Sequence, residues 1–360
     1  MKTTHADSQL AFGSYNRRKF LTLLGASAAA IPVLGVTQSW AGAGELVMWN
    51  WGGRAPTCYT SAFGKEFTRE TGLTLAYDTS GPLQGKIKEM VESGSVTADV
   101  CDAELFDAYA LGEKYLEPID YSIVSKEKTL PQFVSEFGAP VSFYGHCFMY
   151  DTELFKDNPP TSWADFYDTA KFPGKRSLHK WAVGSLEGAL MADGVDKDAL
   201  YPLDIERAIK KVKSIKDESI YWSSISEAHD MIVNNEVAMG MTWQNRTRAI
   251  EEESNGRYKT VINQALALPV AYIVPKGNPA GREAAMKFIA VAQSVDAQLE
   301  VFSCIGLTPG NPEANTKMSA EDARWSLISE QNKPLIAFGD AKWWGANTEA
   351  ATNAFLDAIS

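Results

Sequence analysis

Short apolar runs alternate along this chain with stripes of helical period, and that alternation predicts an α/β fold. Gly44 to Trp51 (GELVMWNW) is an apolar, aromatic run that ends in Gly52-Gly53, the pattern of a buried strand stopped by a glycine turn. Tyr59, Phe63 and Phe67 then recur at i, i+4 and i+8, and the segment closes at Gly72, a natural residue just past a helix end. Leu73 to Asp78 forms a second apolar run. Leu83, Ile87, Met90 and Val91 mark an amphipathic helix closed by Gly94, and Ala98 to Asp102 makes a third strand. This order predicts a parallel sheet with right-handed crossovers and a ligand crevice at the carboxyl ends of its strands. Those ends carry Trp49-Asn50-Trp51 and Asp102-Ala103-Glu104.

A second α/β set runs from about Tyr144 to Ala271. It holds a strand over Gly145 to Tyr150, a helix capped by Ser162, and a helix from Asp204 to Ile215 with apolar Ile205, Ala208, Ile209 and Val212. A further helix begins near Ser226, Val237 to Trp243 reads as a strand ending in an aromatic, and Ala271 to Val274 reads as a returning strand. Helices dominate from there to Ser360. The pattern suits two lobes joined by two crossings, near residues 145 and 271. Lobe 1 is expected over 44–145 and 272–330, lobe 2 over 146–271, with 331–360 a helical segment packing on both.

The first 43 residues read as a cleaved leader. Tyr15 to Leu21 (YNRRKFL) is followed by an uncharged apolar stretch, Leu21 to Val36, and then by the small-residue pattern Ala41-Gly42-Ala43. That stretch is too short and too diluted by Thr22, Gly25, Ser27, Pro32 and Gly35 for a span needing about 20 residues. Consecutive Arg17 and Arg18 suggest the twin-arginine export route and a periplasmic destination. At 360 residues the chain is long enough for two domains with their own cores. Its net charge of −11 argues against nucleic acid and anionic lipid surfaces as partners. The four cysteines, Cys58, Cys101, Cys147 and Cys304, all lie in the exported part, where pairing is allowed, but spacing selects none of the three connectivities. No metal motif is present, and no metal or cofactor is expected.

Enzyme signatures fail in turn. Gly81 to Ile87 (GPLQGKI) is one residue short of a phosphate loop and reads as a turn before a helix, and neither a nucleophile elbow nor a zinc-protease motif follows the leader. Asp102 and Glu104 are the carboxylate pair that a secreted hydrolase would use. The aromatic usage is the more telling feature, with 10 Trp, 13 Tyr and 16 Phe. Trp49, Trp51, Trp222, Trp243 and Phe106 stand at or near the predicted strand ends. Aromatic faces attract alkylammonium ions, and a carboxylate fixes them by a charge-assisted hydrogen bond, so an amine-binding box is the chemistry these residues suit. Alternation along the first strand leaves Trp49 open to a plain core role, and Trp222 likewise.

Over nearly its whole exported length the chain resembles the periplasmic solute-binding proteins of ABC importers, specifically their spermidine/putrescine-binding branch. The resemblance rests on Trp49 to Trp51 (WNW), Phe67 to Asp78 (FTRETGLTLAYD), Pro160 to Asp165 (PTSWAD), Phe172 to Arg176 (FPGKR), Ile273 to Gly277 (IVPKG), the helix from Glu283 to Ile289, and Gly306 to Asn311 (GLTPGN). It implies a type II fold, two α/β lobes joined by two hinge crossings around a ligand cleft, acting as a monomer that docks on a membrane permease. It also implies that Trp51 and Trp243 are the site aromatics, and that Glu104 and Phe106 stand where the branch has a serine and a tyrosine. The branch's acidic anchors do not carry over: Lys180 to Ser185 (KWAVGS) and Leu268-Pro269-Val270 occupy their positions, with Trp181 and Val270 nearest them. Arg54, where the branch often has a tyrosine, and Arg246 could instead pair with a ligand carboxylate. The family default is therefore a polyamine, and the competitor is a zwitterion such as an amino acid or γ-amino acid.

Overall fold

In the computed structural model, which describes residues 44–360, the first apolar run forms strand β1 (Glu45–Trp49) and the Tyr59/Phe63/Phe67 stripe forms one continuous rod. The rod consists of α1 (Ala55–Tyr59), a π-helical turn over Thr60–Gly64 and α2 (Lys65–Thr71), and it ends at Gly72. Strand β2 (Thr74–Asp78), helix α3 (Gln84–Glu92), strand β3 (Val100–Glu104) and helix α4 (Leu105–Tyr115) follow in the predicted order. The leader assigned to residues 1–43, with its Arg17-Arg18 pair, lies outside the described residues.

Strand β4 (Ala139–Asp151) is thirteen residues long and buried almost throughout. It leads to α5 (Trp163–Tyr167), β5 (Arg176–His179), α6 (Ala182–Ala192), α7 (Ile205–Lys213), β6 (Ser219–Trp222), α8 (Ile225–Val233), β7 (Met239–Trp243) and α9 (Gln244–Glu253). Strand β8 (Tyr258–Ile273) then runs back. The predicted Ser162 cap is in place, its side chain accepting from the backbone N–H of Asp165, and Asp204 caps α7 by accepting from that of Arg207. The chain closes with α10 (Arg282–Ala292), α11 (Val295–Ile305), β9 (Thr308–Pro309), α12 (Pro312–Thr316), α13 (Ala320–Ala323), β10 (Ala337–Phe338) and α14 (Ala341–Ile359).

All strands join one continuous sheet in the order β2-β1-β3-β8-β4-β7-β5-β6, with β10 beside β8 and β9 beside β4. β2, β1 and β3 are parallel at one end, and β7, β5 and β6 are parallel at the other. Between them β4 and β8 run antiparallel from Ala139↔Tyr272 to Asp151↔Tyr258, with a register shift between His146 and Phe148. One end of this ribbon pairs with β3 (Cys101↔Ile273 to Glu104↔Val270) and the other with β7 (His146↔Trp243 to Tyr150↔Met239). The molecule is thus two α/β lobes spliced by two long strands. Both runs of parallel strands end toward the ribbon's middle, where crevice residues belong. Only the last few residues of β8 were legible as a strand, because its first half, Tyr258–Gln264, mixes buried, half-buried and exposed positions without a regular alternation.

The cysteines resolve into one bond and two thiols. Cys58 on α1 and Cys304 on α11 form a disulfide with Cα atoms 5.9 Å apart, closing a loop of 246 residues. Cys101 and Cys147 are buried free thiols, and burial pushes both well above the usual thiol range. A crosslink over so long a loop removes much freedom from the unfolded chain. The double variant Cys58→Ser/Cys304→Ser is therefore expected to lose about 2–5 kcal/mol of stability in urea, and an unchanged midpoint would show that the bond constrains nothing.

Candidate functional site

The strand ends of the second lobe converge on a cluster of aromatic rings. His179 ends β5 and Trp222 ends β6, and as register partners on adjacent parallel strands their ring centroids lie 4.4 Å apart. Trp243 ends β7 beside His146 of β4. Its ring is 6.5 Å from Trp222, 6.1 Å from His179 and 6.1 Å from Tyr144, in edge-on geometries. Trp181, just after β5, closes the cluster against His146 (5.9 Å), His179 (5.7 Å) and Phe106 of the first lobe (6.2 Å).

Gly184 lets α6 enter this cluster. Its φ of 84° is a left-handed bend that only glycine adopts freely, and a Cβ there would lie 2.4 Å from the His146 ring. The bend turns the Gly184 N–H onto the buried carboxylate of Glu187 at 2.7 Å. Tyr201 Oη and Trp344 Nε1 also donate to Glu187, at 2.5 and 2.8 Å, so this carboxylate is fully engaged in holding α6 and α14.

Glu104 is the carboxyl group that borders the cluster. It ends β3 and leads into α4, its backbone N–H donating to Asp107 Oδ2 at 3.0 Å, and its Oε2 is buried with no hydrogen-bond partner. Burial, reinforced by the Asp107 charge, pushes its carboxyl well above the usual range, and the nearby Tyr144 hydroxyl offsets part of that cost. Tyr144 Oη stands against this carboxyl without meeting hydrogen-bond geometry. The histidines are displaced the other way: burial pushes His146 down to about 3 and His179 to about 4, so both imidazoles are neutral at pH 7. The indole Nε1 atoms of Trp222 and Trp243, both ring nitrogens of His146 and Nδ1 of His179 are likewise buried and unpartnered.

Of the residues singled out from the sequence, Trp222, Trp243 and Phe106 meet in or against this cluster, and Glu104 borders it through Tyr144. Trp49 is 7% exposed and belongs to the core under β1. Trp51 is 55% exposed and lies over Gly81, where a Cβ would stand 3.1 Å from the indole, rather than among the clustered rings. Arg54 and Arg246 are exposed, and neither forms an ion pair among the described residues. Partial desolvation, with the nearby Arg54 charge adding to it, pushes the Arg246 guanidinium down. Arg54 Nη2 is 3.9 Å from Cys304 Sγ, and Asn245, beside Arg246, donates to the Ile305 carbonyl at 3.2 Å, so both arginines gather around one corner at the end of α11. Asp102 is engaged elsewhere, accepting from Tyr59 Oη at 2.9 Å, and burial pushes it up to about 7. His146, His179 and Tyr144 went unmarked in the sequence because their partners come from other strands. The one legible signal was a histidine closing the short run Arg176 to His179.

The model of the bacterial extracellular solute-binding protein family matches residues 62–326. A γ-aminobutyric acid-binding protein of Pseudomonas aeruginosa is 30% identical over 276 residues, covering 72% of this chain and 74% of the relative. A solved GABA receptor superposes with a TM-score of 0.80 at 35% identity, over 88% of this chain and 98% of that one. A spermidine/putrescine-binding protein of Streptococcus pneumoniae shares the fold at a TM-score of 0.68, over 88% of this chain and 100% of its own, but at 19% identity, so the likeness to the polyamine branch extends to the fold alone. With its two spliced lobes, strand-end cluster and matched length, this chain belongs to the bacterial extracellular solute-binding proteins and has the type II periplasmic-binding-protein fold.

Proposed function

We propose that this protein, as the substrate-binding component of an ABC importer, captures a small zwitterion of the γ-amino acid class in the periplasm. One observation carries the choice of solute: the buried aromatic cluster has a single available carboxylate, Glu104, while two unpaired guanidiniums, Arg54 and Arg246, stand near each other outside it. An ammonium between Glu104 and the ring faces gains charge-assisted and cation–π attraction. A carboxylate between the arginines relieves their mutual repulsion. A polyamine would bring further ammonium groups with no anion to meet them, and desolvating each costs several kcal/mol. That two relatives at 30% identity or more carry γ-aminobutyric acid in their names supports the same reading. Lobe 1 (44–145 and 272–330) and lobe 2 (146–271) would close on the solute as a monomer, after export through the twin-arginine leader. The chemistry is capture without conversion.

Calorimetry with γ-aminobutyrate, putrescine and spermidine tests this. γ-Aminobutyrate is expected to bind at least about tenfold more tightly than spermidine, and submicromolar spermidine binding that survives Glu104→Gln would restore the polyamine reading. Arg246→Ala is expected to weaken γ-aminobutyrate by about tenfold or more, the worth of a charge-assisted bond, while a monoamine without an acid group keeps its affinity. Equal losses for both would assign Arg246 a structural role.

A further inference from the structure

The buried cluster holds more hydrogen-bonding capacity than a plain γ-amino acid can use. Indole N–H groups only donate, and those of Trp222 and Trp243 are both buried without a partner. A neutral imidazole carries one donor and one acceptor, and both nitrogens of His146 and Nδ1 of His179 are also unpartnered. The four rings form one connected group, linked by centroid distances of 4.4 Å (His179–Trp222), 6.1 Å (His179–Trp243), 6.5 Å (Trp222–Trp243) and 6.5 Å (His146–His179). Trp222 and His146 are each 0% exposed. Folded proteins pair nearly all such groups, so a concentration of unpaired ones at strand ends marks where a ligand's polar atoms go. The solute's two charged ends are already accounted for by Glu104 and the arginine pair, and neither charge is available among the four rings, since burial holds both imidazoles neutral.

We propose that the solute carries, besides its ammonium and carboxylate, an uncharged oxygen-bearing substituent, a hydroxyl or a carboxamide, received by His146, His179, Trp222 and Trp243. This inference rests on the γ-amino acid reading and refines it. A hydroxyl or amide oxygen accepts from the indole and imidazole N–H groups, and its own O–H or N–H returns a hydrogen bond to the free imidazole nitrogen. Polar groups built to pair with a substituent discriminate strongly against an analogue that lacks it, because they are then left buried and unpaired.

The experiment compares γ-aminobutyrate with its β-hydroxy and γ-carboxamide derivatives on the exported form of the chain, by calorimetry. At least one oxygenated derivative is expected to bind about tenfold or more tightly than the parent. In His179→Phe and in His146→Phe that preference is expected to fall toward one. The affinity ratio is read within each folded variant, so loss of stability does not mimic the effect. A parent that binds as tightly as both derivatives, or a preference that persists in both variants, overturns the inference while leaving the γ-amino acid reading standing. Parent and derivatives all binding more weakly than spermidine would overturn both.

Discussion

Replacing Glu104 with glutamine is expected to weaken γ-aminobutyrate binding at least about a hundredfold, close to 3 kcal/mol. The amide keeps the shape of the carboxyl and removes only its charge. Because the group is buried, its attraction for an ammonium is little screened, and no second anion in the cluster replaces it. The effect also has a pH signature. In the free protein burial, with the Asp107 charge adding to it, holds Glu104 above the usual range and favours its neutral form, whereas an ammonium solute favours its ionised form. Binding then draws protons off this carboxyl, so affinity should rise with pH above the usual carboxylate range toward the raised pKa, and Glu104→Gln should abolish most of that slope. His146 and His179 titrate at about 3 and 4, below this window. Asp107, beside Glu104, is pushed by burial to about 6 and is retained in the variant, which controls for its contribution. Calorimetry in two buffers of different ionisation enthalpy measures the proton directly. Equal affinity in both proteins would place the ammonium elsewhere.

Arg176→Met is expected to cost about 4 kcal/mol of stability. Arg176 is 0% exposed at the start of β5, and no carboxylate pairs with it among the described residues. Its guanidinium instead donates to three carbonyls, Phe166 (2.7 Å), Gly174 (2.7 Å) and Phe172 (2.5 Å), tying down the loop between α5 and β5. Burial pushes it down to about 10, still charged at neutral pH. Methionine fills much of the space but leaves the three acceptors unpaired, and lysine cannot span them, so Arg176→Lys should recover less than about half of the loss. Urea unfolding measures both, and a loss under about 1 kcal/mol would mean that water replaces the guanidinium at these carbonyls. Since β5 ends at His179, a loosened Arg176 should also disturb the aromatic cluster.

Much of the first lobe was legible because its rules are local. Gly52-Gly53, Gly72 and Gly94 mark where elements stop, and the Phe63/Phe67 stripe marks the face that packs edge-on against Phe288 of α10. The second lobe was less so. Strands β5 and β6 have four residues each, and α6 is buried along its whole length, so neither period-two alternation nor an amphipathic stripe announces them.

The candidate site divides along the same line. Residue chemistry and strand-end position pointed to Trp243 and Glu104 as parts of an amine site, and the resemblance to the solute-binding proteins brought in the two arginines as a partner for a ligand carboxylate. The amino-acid order could not tell that Trp49 enters the core while Trp222 meets His179, since both are tryptophans on strands and only cross-strand register separates them. Nor could it join His146 to His179, or Cys58 to Cys304, across 246 residues in the latter case. By itself the sequence determined the alternating α/β elements and their boundaries where glycine or a cap enforces them. The tertiary structure alone decided which buried polar groups share one enclosed cluster, because hydrogen-bond satisfaction and desolvation depend on the through-space neighbours that strand pairing supplies.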